Sequence, residues 1–587
     1  MKRPLDATGD RDNLVLAAAA AVLVAVTVGG AWVSLHLAAV LTGTPRPTRD
    51  PLRLVVALVT GRVVWTGTAT AVAVGLAVVL LVLVLAVILL WPKGKGGSKK
   101  MRPDLSARHM GRGRDLTHLT AAGSARTAAR LGTQGPGLPL GRAVAGKAML
   151  HTSWEDMAIL VAGPRTQKTT AYAIPALLAA PGAALATSNK PDLYETTRTL
   201  RAPRGRLWVF DAQGVTRTSP DQTEQPGQAV PVWHWDPLSY ITQPTLSETR
   251  AERLAAQLVT SARPVGAKVD AYFDTEAENL ISLMLLAAAC AAQPITVLYT
   301  WLTDAERNDP VDALRQAGFL LHADALRALA KLPDKQREGV YGTARSLLAW
   351  LRNRDVARWV TPGNGPVPTP AFDPIAFAGS SDTLYPLSKE GAGSVGPLVA
   401  ALTMAVLDAL EDLASASPGG RLPVPFVGVL DEAANICRIR HLDAYYSHFG
   451  SRGIVLLTIL QSWAQGAEAW GDKGMEKLWS SANARVYGGG VDDPAFLRRL
   501  SDLIGTADRV QRTASIGGGK RTVTRSVQER AILTPAELRE MPQGRAVLFA
   551  SGTPAVLTHP VPWWEGPHAQ AITAGLQAGN RAPTATG

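Results

Sequence analysis

From about residue 155 the chain alternates short, nearly unbroken apolar runs with longer stretches whose apolar residues recur three and four positions apart. The runs are MAILVAG, GAALATS, RLWVFDA, DTLYPLS, PFVGVLDE, GIVLLTILQ, NARVYGGG and GRAVLFAS, each closing on small or polar residues. Strands buried on both faces of a parallel sheet read this way, whereas half-exposed strands would alternate. The helical spacing between them predicts helices on both faces of the sheet, an α/β fold. One interval departs from the alternation. Between RLWVFDA and DTLYPLS the spacing is helical almost throughout, as in SETRAERLAAQLVTSA and DTEAENLISLMLLAAACAA, with Ser247 and Asp274 as candidate caps, and TPGNGPVPTP closes it. The expectation is an all-α domain at 247–360 inserted into an α/β domain formed by 151–246 and 361–564. Residues 103–150 read as a linker or approach segment, and 565–587 as a disordered tail.

Two much longer apolar runs precede these elements, at 14–41 and 63–91. A bilayer core takes roughly 20 apolar helical residues, so both are candidate spans, and 1–102 reads as a membrane anchor. The stretch PKGKGGSKKMRPDLSARHMGRGRD after Trp91 holds eight Lys or Arg against two Asp. That density predicts a multi-pass inner-membrane protein with its N-terminus and large C-terminal part in the cytoplasm, the basic collar against anionic lipid. At 587 residues the chain is too long for one core, so two or three domains are expected. Its net charge of +12 points to anionic partners. Two cysteines, Cys290 and Cys437, exclude a disulfide framework and read as small buried apolar residues.

Candidate chemistry begins at ILVAGPRTQKTTAYAIPALL. An apolar strand, a turn and a helix N-terminus in succession form a phosphate-binding device, because the turn's N–H groups and the helix dipole face one point. Gly163, Pro164, Arg165, Thr166, Gln167, Lys168, Thr169 and Thr170 would form the loop. Lys168 would reach β and γ phosphates, and the Thr169 hydroxyl would ligate Mg²⁺. The pattern is broken, since the two consensus glycine positions fall on Ala162 and Gln167. A second element, PFVGVLDEAANI, ends an apolar strand in Asp431-Glu432: a carboxylate for Mg²⁺, then one to activate water. GIVLLTILQ ends a third strand at Gln461, a candidate γ-phosphate sensor, and Arg452 precedes it as a candidate arginine finger into a neighbouring subunit.

The order of these pieces resembles the type IV secretion coupling proteins, the TraG/TraD-type ATPases of conjugation, and their actinobacterial branch in particular. GPRTQKTT, TSNKPDLYETT, VFDAQG, WHWDPLS, AYFDTEAENLI, LDEAANI, GSRGIVLLTILQSWAQ and LTPAELREMPQGRAVLF carry the resemblance over roughly 155–555. It implies a RecA-like, hexameric motor that uses ATP and Mg²⁺. Such a motor recruits a relaxase-bound single DNA strand and passes it to a type IV secretion channel, its inserted helical domain recognising the cargo. It implies catalytic roles for Lys168, Asp431, Glu432, Gln461 and, in approximate position, Arg452. Gln167 departs from the family: where that position needs φ > 0, a side chain costs about 1–2 kcal/mol. Two alternatives follow, a non-hydrolysing receptor with the same fold and an FtsK/SpoIIIE-type duplex pump. DNA contact is not localised by motif. The basic stretch RVQRTASIGGGKRTVTRSVQER is one candidate pore loop, and the pairs Trp233/Trp235 and Trp563/Trp564 are better read as packing residues than as base-stacking ones.

Overall fold

The computed structural model describes residues 27–90 and 102–581, apart from 46, 217–221, 226–227, 264–265, 268–269, 364–368, 392 and 518–519; side chains at 52, 83–90, 102, 217–230, 509–527 and 579–581 also lie outside the description. The chain divides into two units, Met1–Lys99 and Lys100–Gly587.

In the first unit, residues 27–42 are helical, followed by the helices Pro51–Val59 and Gly67–Leu90. Leu35, Ala38, Leu54 and Ala69 form a small buried cluster between them. Residues 14–26 of the expected first span, 14–41, lie outside the described residues, and its remainder is helical. The expected second span, 63–91, is interrupted at its start, because a turn precedes Gly67, and its side chains are described only as far as residue 82. No helix among the described residues is long and apolar enough to cross a membrane. A bilayer core takes roughly 20 apolar residues. The expectation of a multi-pass inner-membrane protein with both ends in the cytoplasm, in contact with lipid, is corrected on this finding. Residues 92–101 of the basic run after Trp91 lie outside the described residues.

The second unit is built on an eleven-stranded sheet. Its strands are β1 (Pro139–Ala143), β2 (Met149–His151), β3 (Ala158–Val161), β4 (Ala184–Thr187), β5 (Leu207–Phe210), β8 (Thr383–Pro386), β9 (Phe426–Leu430), β10 (Ile454–Leu460), β11 (Ala484–Tyr487), β14 (Ala546–Ala550) and β15 (Val556–His559). Two separate hairpins account for β6 (Gln222–Gln225) with β7 (Gln228–Pro231), and β12 (Thr506–Gly517) with β13 (Lys520–Ala531). The order across the sheet is β2-β1-β15-β14-β11-β3-β10-β9-β4-β8-β5. From β11 to β5 every pairing is parallel, while β14, β15, β1 and β2 add an antiparallel edge. Every residue of β3, β4, β8, β9 and β10 is buried, as their unbroken apolar runs require of strands covered on both faces.

Residues 103–150, expected as an approach segment, are built into this sheet instead. They supply β1 and β2 together with the helix Ala121–Arg130, whose cap Thr120 accepts from Gly123 N. Leu138, Leu140 and Leu150 are buried in the sheet's core. Short strands with Gly-rich flanks carry too little periodicity to be seen against their surroundings. The expected tail likewise holds a helix, Ala569–Arg581, which lies on the helix Asp192–Arg201 so closely that a Cβ on Gly575 would come 2.5 Å from Thr199 Oγ1. Residues 582–587 lie outside the description.

From Glu248 to Val360 the described elements are all helical, the longest being Glu248–Ala262, Phe273–Cys290 and Asp334–Leu347. Ser247 caps the first as expected; Asp274 falls inside the second, where it accepts from Asp270 N at 2.7 Å. These helices share one apolar core with a face of the sheet, so Leu254, Leu280 and Leu326 belong to the same cluster as Phe210, Leu430 and Leu456. Trp233 and Trp235 are fully buried, and Trp233 meets Trp208 and Trp359 edge-on at 5.3 Å, which makes it a core residue.

One buried cation ties the sheet's outer strands together. Arg201, fully buried, donates from Nε to Thr383 Oγ1 (2.7 Å), from Nη1 to Ala180 O (2.9 Å) and from Nη2 to Gly182 O (2.9 Å). Burial pulls its pKa down to about 10, still charged at neutral pH. Arg201→Met leaves these acceptors unpaired, and each buried orphan costs about 1–3 kcal/mol. The expected loss is about 2–4 kcal/mol, read as a lower urea midpoint by tryptophan fluorescence. Arg201→Lys should not restore it, because an ammonium cannot reproduce the guanidinium fork.

Candidate functional site

Parallel pairing brings the predicted residues to one edge. Leu460 of β10 pairs with Val161 of β3, Thr458 with Leu430 of β9, and Thr187 of β4 with Leu430. The C-terminal ends of four strands therefore lie side by side, and the residues following each end form one crest. A crevice outside the carboxyl ends of parallel strands, where consecutive strands part to opposite sides, is where such sheets bind ligands.

After β3 the chain forms a tight loop. Gly163 N donates to Gly489 O at 2.9 Å, and Thr166 Oγ1 donates back to Gly163 O at 2.7 Å. Arg165 and Gln167 both take left-handed dihedrals, with φ of 61° and 64°, whereas Lys168 returns to the right-handed region at φ −50°. Adjacent residues of opposite hand turn their N–H groups to one side, a nest suited to an anion. Gln167 thus holds the positive φ that would favour glycine. Its carbonyl accepts from Ala171 N (2.9 Å) and Thr170 Oγ1 (3.3 Å), which anchors the strained residue to the helix that follows. That helix opens with a π-helical turn, Thr169–Ala173, before Ile174–Ala179. π turns of this kind concentrate at functional sites. Pro164 and Arg165 are exposed at the loop's tip, where Gln543 Nε2 donates to Arg165 O at 3.2 Å.

Lys168 is 9% exposed and folds back, its Nζ donating to Ala162 O and Gly163 O at 3.0 Å each. Burial lowers its pKa, and Glu432 and Asp431 oppose that. Thr169 Oγ1 donates to Asp431 Oδ2 at 3.0 Å, joining the loop to the end of β9. Burial, then the neighbouring Glu432, pushes the Asp431 carboxyl up to about 7, against the Thr169 hydrogen bond and the Lys168 charge. Glu432 is left-handed at φ 53°, and both its oxygens accept from Gln461 Nε2 at 2.8 Å. Lys168, Thr169, Asp431, Glu432 and Gln461 are thereby brought together. Arg452 is not. It precedes β10, whose seven residues put it about 20 Å from the crest, where it pairs with Glu411 at 3.4 Å and with Ser415.

Two groups of residues escaped the reading of the sequence. Gly488, Gly489 and Gly490 follow β11 and pack under the loop: a Cβ on Gly163 would lie 2.0 Å from Gly490 O, and one on Gly488 2.7 Å from Ala162 Cβ. Three glycines after an apolar run were the signal, but only the adjacency of β11 and β3 gives it meaning. The second group is a chain of carboxamides, Asn435, Gln465 and Asn189, with Glu390. Asn435 and Asn189 both donate to Glu390 Oε1, at 3.0 and 2.6 Å. These residues lie on four separate segments, and no local pattern links them.

A strand–nest–helix beside an acidic strand end, in a large parallel-rich α/β sheet, is an anion-binding arrangement with carboxylates at its rim. The family model TraG-D_C, the TraM recognition site of TraD and TraG, matches residues 425–543, which include Asp431, Glu432, Gln461 and the three glycines. The conjugal transfer protein TraG of Agrobacterium fabrum is 25% identical over 130 residues, 22% of this chain and 20% of that protein. The TraG of Rhizobium radiobacter matches equally, at 25% over 130 residues. The match spans about a fifth of the length of these curated relatives. Among solved structures, the bacterial conjugative coupling protein TrwBdeltaN70 in its unbound monoclinic form is 16% identical, with a TM-score of 0.50, covering 74% of this chain and 90% of that one. Its trigonal form in complex with sulphate also scores 0.50, covering 77% and 96%. The similarity is to the TraG-D_C segment over residues 425–543 and to the fold of the coupling protein TrwBdeltaN70.

The raised Asp431 pKa predicts a pH signature. Between about pH 4 and 7 the unfolded carboxyl ionises while the folded one keeps its proton, so this residue's contribution to stability falls as pH rises through that window. Asp431→Asn removes the titration and can still accept from Thr169. In the absence of divalent cations, scanning calorimetry should find it more stable than wild type by about 1–3 kcal/mol at pH 8, and indistinguishable near pH 4.

Proposed function

We propose that the chain is an ATP-driven coupling protein that passes a relaxase-bound single DNA strand to a type IV secretion channel. The observation that carries this is the pairing of Thr169 with Asp431 at 3.0 Å beside Glu432 held by Gln461 at 2.8 Å, all above the nest at Gln167-Lys168. The residues fit ATP and Mg²⁺: an anion-accepting nest, a sheltered ammonium, and a hydroxyl–carboxylate pair of the hard oxygen type that Mg²⁺ takes. Mg²⁺ bound there would neutralise charge developing on the phosphates. Lys168, released from Ala162 O and Gly163 O, extends to the phosphates. Thr169 and Asp431 would hold the cation, and Glu432, oriented by Gln461, would take the proton of the attacking water. The backbone of Gly163, Pro164, Arg165 and Thr166 closes the loop around them.

The low-homology P-loop is compatible with turnover on this reading, because Gln167 holds the dihedral that the nest needs. Relatives bearing the name conjugal transfer protein support the cargo and the channel as partners. Assembly as a homo-hexamer would let Arg452, far from its own site, enter that of a neighbour.

Purified full-length protein is assayed for phosphate release from ATP with and without single-stranded DNA. Lys168→Ala and Glu432→Gln should each lower kcat by at least about 100-fold. Gln167→Gly should raise stability by up to about 1 kcal/mol and leave turnover at or above wild type. No turnover in wild type or in Gln167→Gly, under any DNA condition, would overturn the motor in favour of a non-hydrolysing receptor.

A further inference from the structure

A cavity of about 720 Å³ separates the inserted helices from the sheet. Arg263 and Trp350 line it on the helical side, and Glu390, Ser394, Asn435 and Arg438 on the other. Arg438 is the residue without a settled partner. Its Nη2 donates to Arg263 O at 2.7 Å, its Nε is buried with no acceptor, and no carboxylate pairs with it among the described residues. Arg263 Nε and the Trp350 indole N–H are also buried without acceptors, although Arg263 is paired with Asp274 at 3.2 Å. The one acidic group on the wall, Glu390, is engaged by Asn189 and Asn435 instead.

Buried donors and charges are normally matched, and an unneutralised guanidinium in a half-buried wall carries a desolvation cost with no return. A guanidinium on a cavity wall with no carboxylate partner asks for an anion, and a guanidinium is the side chain best shaped for a phosphate. The volume lies in the range of small-molecule sites, with room for a phosphate and the group that carries it.

The same wall touches the catalytic crest. Asn435, which donates to Glu390, accepts from Gln465 Nε2 at 2.6 Å; Gln465 Oε1 accepts from Gln461 N at 3.1 Å; and Gln461 holds both oxygens of Glu432. We propose that this cavity binds the phosphate group of a phosphate ester on Arg438, and that its occupancy is relayed to Glu432 through Asn435, Gln465 and Gln461. The relay rests on the function proposed above; the binding site does not. Asn435 is here a positioning residue, acting on the reaction only through Gln465 and Gln461.

Two probes distinguish the source of the phosphate in full-length protein. The first is a fluorescein-labelled oligothymidylate of about 20 nucleotides, followed by anisotropy between about 50 and 200 mM salt. Arg438→Gln should weaken its binding several-fold and lower the salt slope by about one, the mark of one lost phosphate contact, while Arg438→Lys keeps the slope. The second is inorganic phosphate, compared with chloride at equal ionic strength. A thermal shift present in wild type and lost in Arg438→Gln, with oligonucleotide binding unchanged, supports the site with free phosphate as its ligand. Wild-type behaviour of Arg438→Gln toward both probes overturns it. For the relay, Asn435→Ala should bind the oligonucleotide normally yet lose the stimulation of ATP turnover by it. Retained stimulation would overturn the relay and leave the site standing. If wild type shows no turnover at all, the proposed function fails and the two binding experiments still decide the site.

Discussion

The parallel register of β3 between β10 and β11 is the constraint on which the candidate site depends. Val161 lies opposite both Leu460 and Tyr487, so one short strand fixes how far the loop after it stands from Gln461 on one side and from the glycines on the other. Slipping that register by one residue would move the loop by about 3.3 Å and turn every side chain of β3 over. Neither the Thr169–Asp431 bond nor the seat of Gly163 on Gly490 would survive it. A strand of four buried residues holds its register because both neighbours are longer apolar strands or are locked in turn, and because exposing either face would return Ile159 and Leu160 to water.

The loop's departure from the glycine pattern can be weighed in energies. A left-handed glutamine costs about 1–2 kcal/mol relative to a relaxed backbone. Its carbonyl accepts two hydrogen bonds from the first helical turn, each worth about 1 kcal/mol net, so ordering the turn offsets the strain. A glycine would make the same bonds without the side-chain penalty, but it would lose more backbone freedom on folding, by roughly 0.5–1 kcal/mol. The difference between the two residues is therefore small. The tight contact lies one step earlier, at Gly163, where a Cβ has no room against Gly490 O. The backbone demands a glycine there, and the chain keeps it.

Much of this was legible before any coordinates. The unbroken apolar runs marked the parallel strands, and the residues after three of them named the crest, because strand ends in a parallel sheet necessarily share an edge. What stayed hidden has a physical reason in each case. β1 and β2 are strands of five and three residues in a Gly- and Arg-rich stretch, too short to show a period. The helix at Ala569–Arg581 is amphipathic but follows an irregular Trp-rich turn, and its role is visible only through Gly575 against Thr199. Arg452 was read as a finger into a neighbouring subunit, and the seven residues of β10 set it at the far end of the strand from its own crest.

The electrostatics of the crest explain why these groups are held as they are. Asp431 and Glu432 are consecutive carboxylates, one buried and one half-buried, beside a sheltered lysine. Two such charges repel, and the fold limits the conflict by giving them different environments. Asp431 is nearly sealed, which favours its protonated form against the hydrogen bond it accepts from the Thr169 hydroxyl, whereas Glu432 is turned away by its left-handed backbone onto the amide of Gln461. The left-handed residue at the end of β9 is therefore more than a local irregularity. A right-handed or extended residue there would point the second carboxylate along a different direction, away from the donor on β10. Strain of about 1–2 kcal/mol at Glu432 separates the two carboxylates, one bonded to the Thr169 hydroxyl and the other to the Gln461 amide.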